Sequence, residues 1–164
     1  MADEHVYIRS LEHFAGTPDR PRLGIGVETR DRPGPAYKAG VFSEDTVWIQ
    51  LQGGLLVAKV RVKIAWRGEY SRIDEVRKRA GDAQVSESFW SGRPRGGYAV
   101  VAAFEQERWI EPHWGGPRTY GYEWIVLESD AKRKSWLDKK EPPRGGEDLR
   151  AKFLSARERS FSGS

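Results

Sequence analysis

The chain has 164 residues, the size of one domain, and such a length buries roughly 70% of the surface its unfolded form exposes. Charged residues make up 32% and mean hydropathy is −0.71, but seven Trp, six Tyr and six Phe supply bulky apolar side chains, which excludes a disordered chain. The absence of cysteine excludes a disulfide framework, a thiolate nucleophile and a Cys-based zinc site, and the net charge of +4 favours anionic partners.

In chain order, His5 to Arg9 reads as a short first strand, followed by a polar stretch through Arg22 and a second short apolar run, Leu23 to Glu28. Thr29 to Gly40, with Arg30, Asp31, Arg32, Pro33, Gly34 and Pro35, reads as a surface loop. The clearest element follows. In TVWIQLQGGLLVAKVRVKI two β-rich runs flank Gln52-Gly53-Gly54, which permits the positive φ of a tight hairpin. Alternation places Val47, Ile49 and Leu51 on one face of the first strand, and sets Leu56, Ala58, Val60, Val62 and Ile64 opposite Lys59, Arg61 and Lys63 in the second.

Ser71 to Ala80 reads as a helix with basic residues in its last turn and a stop at Gly81. A short helix is expected over Ser86 to Trp90, a long or bent strand over Gly97 to Ile110, and a closing strand over Thr119 to Glu128. A basic helical turn starts at Asp130. The domain is read as residues 1–138, and residues 139–164 as a charged Pro- and Gly-rich hinge with a helical tail ending in a mobile SFSGS. Helices are too sparse for a doubly wound sheet, so the pattern predicts a small α+β, mainly β barrel decorated by two or three helices. The opening MADEHVYIRS has no signal-peptide character and no apolar run reaches the roughly 20 residues of a membrane span, which reads as a cytoplasmic protein with no membrane partner.

Motifs of common enzymes are missing from the sequence: no G-x-S-x-G elbow, Walker A loop, H-E-x-x-H or two-metal acidic cluster. His5, His13 and His113 are scattered. No catalytic residue, metal or cofactor is therefore assigned. The aromatics are more informative. Trp66 and Tyr70 flank Arg67, Phe89 and Trp90 precede SGRPRGG, and Trp109, Trp114, Tyr120, Tyr122 and Trp124 crowd the segment around HWGGPRTYG. An exposed aromatic face stacks on a base while neighbouring Arg neutralises phosphate, so this interleaving is the chemistry of a nucleotide pocket. Trp66, Tyr70, Trp90, Trp114 and Tyr120 are the candidate base-binding residues, and Arg67, Arg93, Arg95 and Arg118 the candidate phosphate ligands. Glu28, Thr29 and Glu123 are candidate hydrogen-bonding groups for a base edge.

The order of these elements resembles the PUA-like superfamily, the small barrels that include PUA, ASCH, EVE, YTH and SRA domains. Gly40 to Val62 is similar to the stretch in which such domains place an acidic turn, a strand, a hairpin glycine and a second strand; the helix at Ser71 to Ala80 and the segment Tyr98 to Leu127 follow in the same order. The resemblance implies binding of DNA or RNA, with a modified base read in an aromatic cage, and in some relatives a nuclease partner or fused domain. The ASCH branch includes enzymes with a Gly-x-Lys-x-x-Glu-x-Arg-like signature; GIGVETRDR keeps Gly26, Glu28 and Arg30 but lacks the Lys, with Val27 following Gly26, and its Glu spacing differs. Three readings follow. The first is a nucleobase-reading binding domain. The second is a ribonuclease or nucleoside amidohydrolase using Glu28, Arg30, Lys59 or His113 as acid-base groups, and the third an accessory domain whose aromatics pack on a protein partner.

Overall fold

The computed structural model describes residues 3–11, 24–81, 87–117 and 123–162. Six strands, β1 (Glu4–Arg9), β2 (Ile25–Arg30), β3 (Thr46–Leu51), β4 (Leu55–Tyr70), β5 (Gly97–Trp114) and β6 (Trp124–Val126), form one sheet in the order β2-β5-β4-β3-β1-β6. Only the β1–β3 pairing is parallel. The helices are α1 (Pro35–Ala39), α2 (Ile73–Ala80), α3 (Glu87–Ser91), α4 (Asp130–Leu137) and α5 (Gly146–Ser162). This is the mainly β architecture that the order of elements implies, with more helices around it than the sequence pattern marks.

The β3–β4 hairpin turns where expected, with Gly53 at φ 104° and Gly54 at φ 107°. Val47, Ile49 and Leu51 pack inside with Val57, Ala58, Val60 and Val62. Strict alternation along β4 fails, because its ladder with β5 slips register at Leu56/Ala58, Lys59/Arg61 and Val62/Ile64. Each slip re-aims the side chains beyond it. Ile64, expected on the apolar face, is consequently 64% exposed. Supported by β5 along its length, β4 continues to Tyr70 rather than ending at Ile64, and β5 continues past Ile110 to Trp114.

The stretch read as a loop from Thr29 to Gly40 contains the end of β2 and all of α1. Pro35 opens that helix, where its missing N–H costs nothing and its fixed φ suits the first turn. Among the described residues the closing strand is Trp124–Val126, shorter than the span from Thr119 to Glu128; residues 118–122 lie outside the described ones. The C-terminal segment is part of the packing. Phe153 and Ala156 of α5 are buried, and Phe153 joins the main core beside Trp109, ring centres 5.7 Å apart. The expected boundary at residue 138 thus falls between elements that share that core.

β1 is laddered to β3 on one side and β6 on the other, and the free edge of β2 is met by side chains of β1 rather than by a strand, a join termed the β1–β2 seam. The Tyr7 hydroxyl accepts from Val27 N at 2.9 Å and donates to Val27 O at 3.2 Å, and Arg9 donates to the same carbonyl. Tyr7 and Arg9 are two apart in β1, so both point the same way. On the outer face of the sheet, α2 and α3 cover a second cluster containing Val27, Tyr70, Val76, Phe89, Trp90 and Val101.

Candidate functional site

At this seam, polar groups are buried among aromatic rings. Arg9 is 4% exposed, and its guanidinium lies 4.7 Å from the Tyr7 ring centre and 4.2 Å from that of Phe89. Arg93, in the turn after α3, covers the same Phe89 ring at 3.9 Å and donates to Phe89 O at 3.2 Å. Both guanidiniums meet one carboxylate oxygen: Glu123 Oε1 is 3.0 Å from Arg9 and 2.5 Å from Arg93. Each side chain therefore holds the next in place, and the arrangement draws on β1, α3 and the residue just before β6.

Glu28 reaches this cluster from β2 and is 2% exposed. Burial, and then the charge of Glu123, push its carboxyl up to about 7, against the pull of Arg30, Arg9 and Arg93. Near neutral pH it therefore exists in both protonation states. Glu28 Oε2, Glu123 Oε2 and Arg9 Nε are buried with no hydrogen-bond partner among the described residues. Groups this deep are normally satisfied. The cluster thus presents a donor and two carboxyl oxygens beside aromatic surface, the inventory needed to grip a planar polar ligand by its edge.

The structure gathers some of the residues singled out from the sequence and separates others. Trp66, Tyr70 and Trp90 meet in the outer cluster with Phe89. Tyr70 and Trp90 are only 5% and 7% exposed there, and the Tyr70 hydroxyl donates to Pro94 O at 2.8 Å. Trp66 is half-buried under Arg79, whose guanidinium lies 4.0 Å from its ring centre. Trp114 stands apart from the other three. It is 3% exposed inside the barrel, where its ring lies 2.9 Å from the place a Cβ on Gly146 would take, so it offers no open face to a base. Arg93 is in the cluster and Arg95 is exposed nearby in sequence, whereas Arg67 donates to the carbonyls of Tyr37 and Lys38. Arg118 and Tyr120 lie outside the described residues.

Glu28 and Glu123 belong to the site, and Thr29 is buried next to Glu28 in β2. The other acid-base candidates are engaged elsewhere: Lys59 stacks over Trp48 at 4.9 Å, and His113 Nε2 donates to Leu137 O at 2.9 Å. Sequence reasoning missed Arg9. The available signal was its spacing from Tyr7, which puts a cation on an aromatic face of a strand. Among the described residues no group of three or more His, Asp and Glu is placed to hold a metal ion, and no helix is long and apolar enough to cross a membrane.

No protein-family model matches the sequence, and no curated protein matches it. Solved structures do. The ASCH protein from Zymomonas mobilis superimposes with a TM-score of 0.51 at 14% identity, covering 81% of this chain and 92% of that one. A serine-to-alanine variant of it gives 0.53 at 14% identity, over 80% and 93%. The N-terminal domain of Staphylothermus marinus McrB gives 0.43 at 13% identity, over 68% and 76%. The chain has the PUA-like fold, shared with an ASCH domain over nearly all of that domain's length.

Proposed function

We propose that this domain binds nucleic acid and receives a single nucleobase at the β1–β2 seam. The observation that carries the reading is a trio of buried polar atoms, Arg9 Nε, Glu28 Oε2 and Glu123 Oε2, each unpartnered among the described residues. A base read in a pocket needs hydrogen bonds to its Watson–Crick edge and a stacking wall. Arg9, Glu28 and Glu123 supply the first, and Phe89, backed by Trp90, the apolar surroundings. A neutral carboxyl donates through one oxygen and accepts through the other, which complements the adjacent acceptor and amino group of cytosine or adenine. Arg67 and Arg95 on the surface, with Arg118, are the proposed phosphate ligands, and Tyr120 a further stacking residue.

The test is fluorescence polarisation against short single- and double-stranded DNA and RNA, with plain or methylated cytosine or adenine. Binding of one of these that is lost on Glu28→Leu or Arg9→Met supports the reading. Equal binding by the native protein and both variants overturns it.

One observation favours a second reading, a hydrolase acting on a nucleoside or RNA. A carboxyl titrating at about 7 is poised to give and take protons at neutral pH. Release of product from an RNA or nucleoside substrate, abolished in Glu28→Gln with binding retained, would favour it over binding alone.

A further inference from the structure

Phe42, between α1 and β3, is 55% exposed and is the only exposed aromatic side chain among the described residues. It is not loosely held. Phe42 N donates to Asp45 Oδ2 at 2.9 Å, and Asp45 is itself buried against His5 at 2.8 Å. Ser43 Oγ donates to Lys63 O at 2.8 Å, and Glu44 N to Val62 O at 2.8 Å, which fastens the turn to β4. The ring rests on Gly40: a Cβ there would come within 2.7 Å of its Cζ, and Gly40 has φ 87°. Glycine is needed at that point both for its backbone and for the space.

The surroundings are cationic. Arg67 Nη1 lies 3.3 Å from that same Cβ position, and Lys38, Lys63 and Arg67 are exposed, whereas the nearby carboxylate of Glu44 is paired with Arg61 at 2.6 Å. Arg67 is also in register with the seam. Glu28 pairs with Val100 and Val100 with Arg67, so two strand spacings, roughly 10 Å, separate their backbones.

We infer that Phe42 is a stacking platform for an unpaired base next to the one held at the seam, with Lys38, Lys63 and Arg67 meeting the adjoining phosphates. This rests on the seam reading and adds to it that the bound strand is unpaired beyond a single nucleotide. Like charges around the ring disfavour a second copy of this chain, and a prefixed aromatic face among cations is the usual platform for single strands.

The experiment compares the four nucleoside monophosphates with mixed-sequence single-stranded RNA and DNA hexanucleotides, using folded protein confirmed by circular dichroism. Phe42→Ala is expected to weaken hexanucleotide binding about ten-fold and leave mononucleotide binding unchanged, with Phe42→Trp restoring it. Lys63→Gln is expected to flatten the salt dependence by about 0.7 in log–log slope. Unchanged hexanucleotide affinity in Phe42→Ala, with mononucleotides still bound, overturns the platform and leaves the seam reading standing. Native protein that binds neither class removes both. Displacement of a poly-glutamate peptide by Phe42→Ala, with no effect on hexanucleotides, overturns the platform in favour of an acidic protein partner.

Discussion

Glu28 concentrates the site's chemistry because burial works against its charge. Its carboxyl titrates at about 7 in the fold, against an ordinary value of 4.5. Between those limits the folded state holds a proton that the unfolded chain has released, so folding stability is greatest below the ordinary value. It should fall as pH rises through the folded value, by up to about 3 kcal/mol. Urea melts at pH 5 and pH 8 should show that fall in the native protein and a much flatter profile in Glu28→Gln; parallel profiles would place the carboxyl in a wetter setting. Trp114 makes the opposite case. With its indole inside the barrel, Trp114→Ala should cost about 3–5 kcal/mol of stability. A loss under 1 kcal/mol by the same melts would show that the ring is not a core residue.

At the level of elements, the two long strands and the last helix decide most. The β4–β5 ladder changes register three times, and those slips, not the local residue pattern, turn Ile64 outward. The helix α5 contributes a fully buried Phe153. Its first turn also approaches the hairpin, since a Cβ on Gly53 would lie 2.9 Å from Leu149 Cδ2. Phe153→Ala should therefore destabilise the whole fold by about 3–5 kcal/mol in a single transition. An early, separate transition for the tail would instead make it an independent appendage. The hairpin was legible in the sequence because a Gly-Gly pair between β-rich runs has few other uses. The short helix α1 was not, since Pro and Gly mark a loop and a helix start equally well.

The whole molecule is basic but not uniformly so. Several cations are already paired, Arg9 and Arg93 with Glu123 within the fold and Arg61 with Glu44 and Arg133 with Glu4 at the surface. The count of 28 Lys and Arg therefore overstates the number of cations free to meet phosphate. With three or four surface cations engaged, affinity for a single strand should fall with salt at a log–log slope of roughly −2 to −3. A slope near zero, measured by polarisation between 50 and 300 mM salt, would argue that the aromatics alone carry binding or that the partner is not a polyanion.

The sequence by itself determined the class of fold. Residue alternation, turn glycines and the order of strands and helices are local properties, and together they specify a small barrel with a hairpin at Gly53-Gly54. It also singled out Glu28, Arg93 and Glu123, which the fold brings into one cluster. Only the tertiary structure decided which of them meet. Tryptophan serves equally as core filler and as a ligand wall, and nothing along the chain distinguishes Trp114, enclosed by α5 and β4, from Trp66 on the outer face. Arg9, Glu28, Phe89, Arg93 and Glu123 come together because the free edge of β2 is met by side chains from β1 instead of by another strand. Their burial there, a product of long-range packing, raises one carboxyl toward neutral pH.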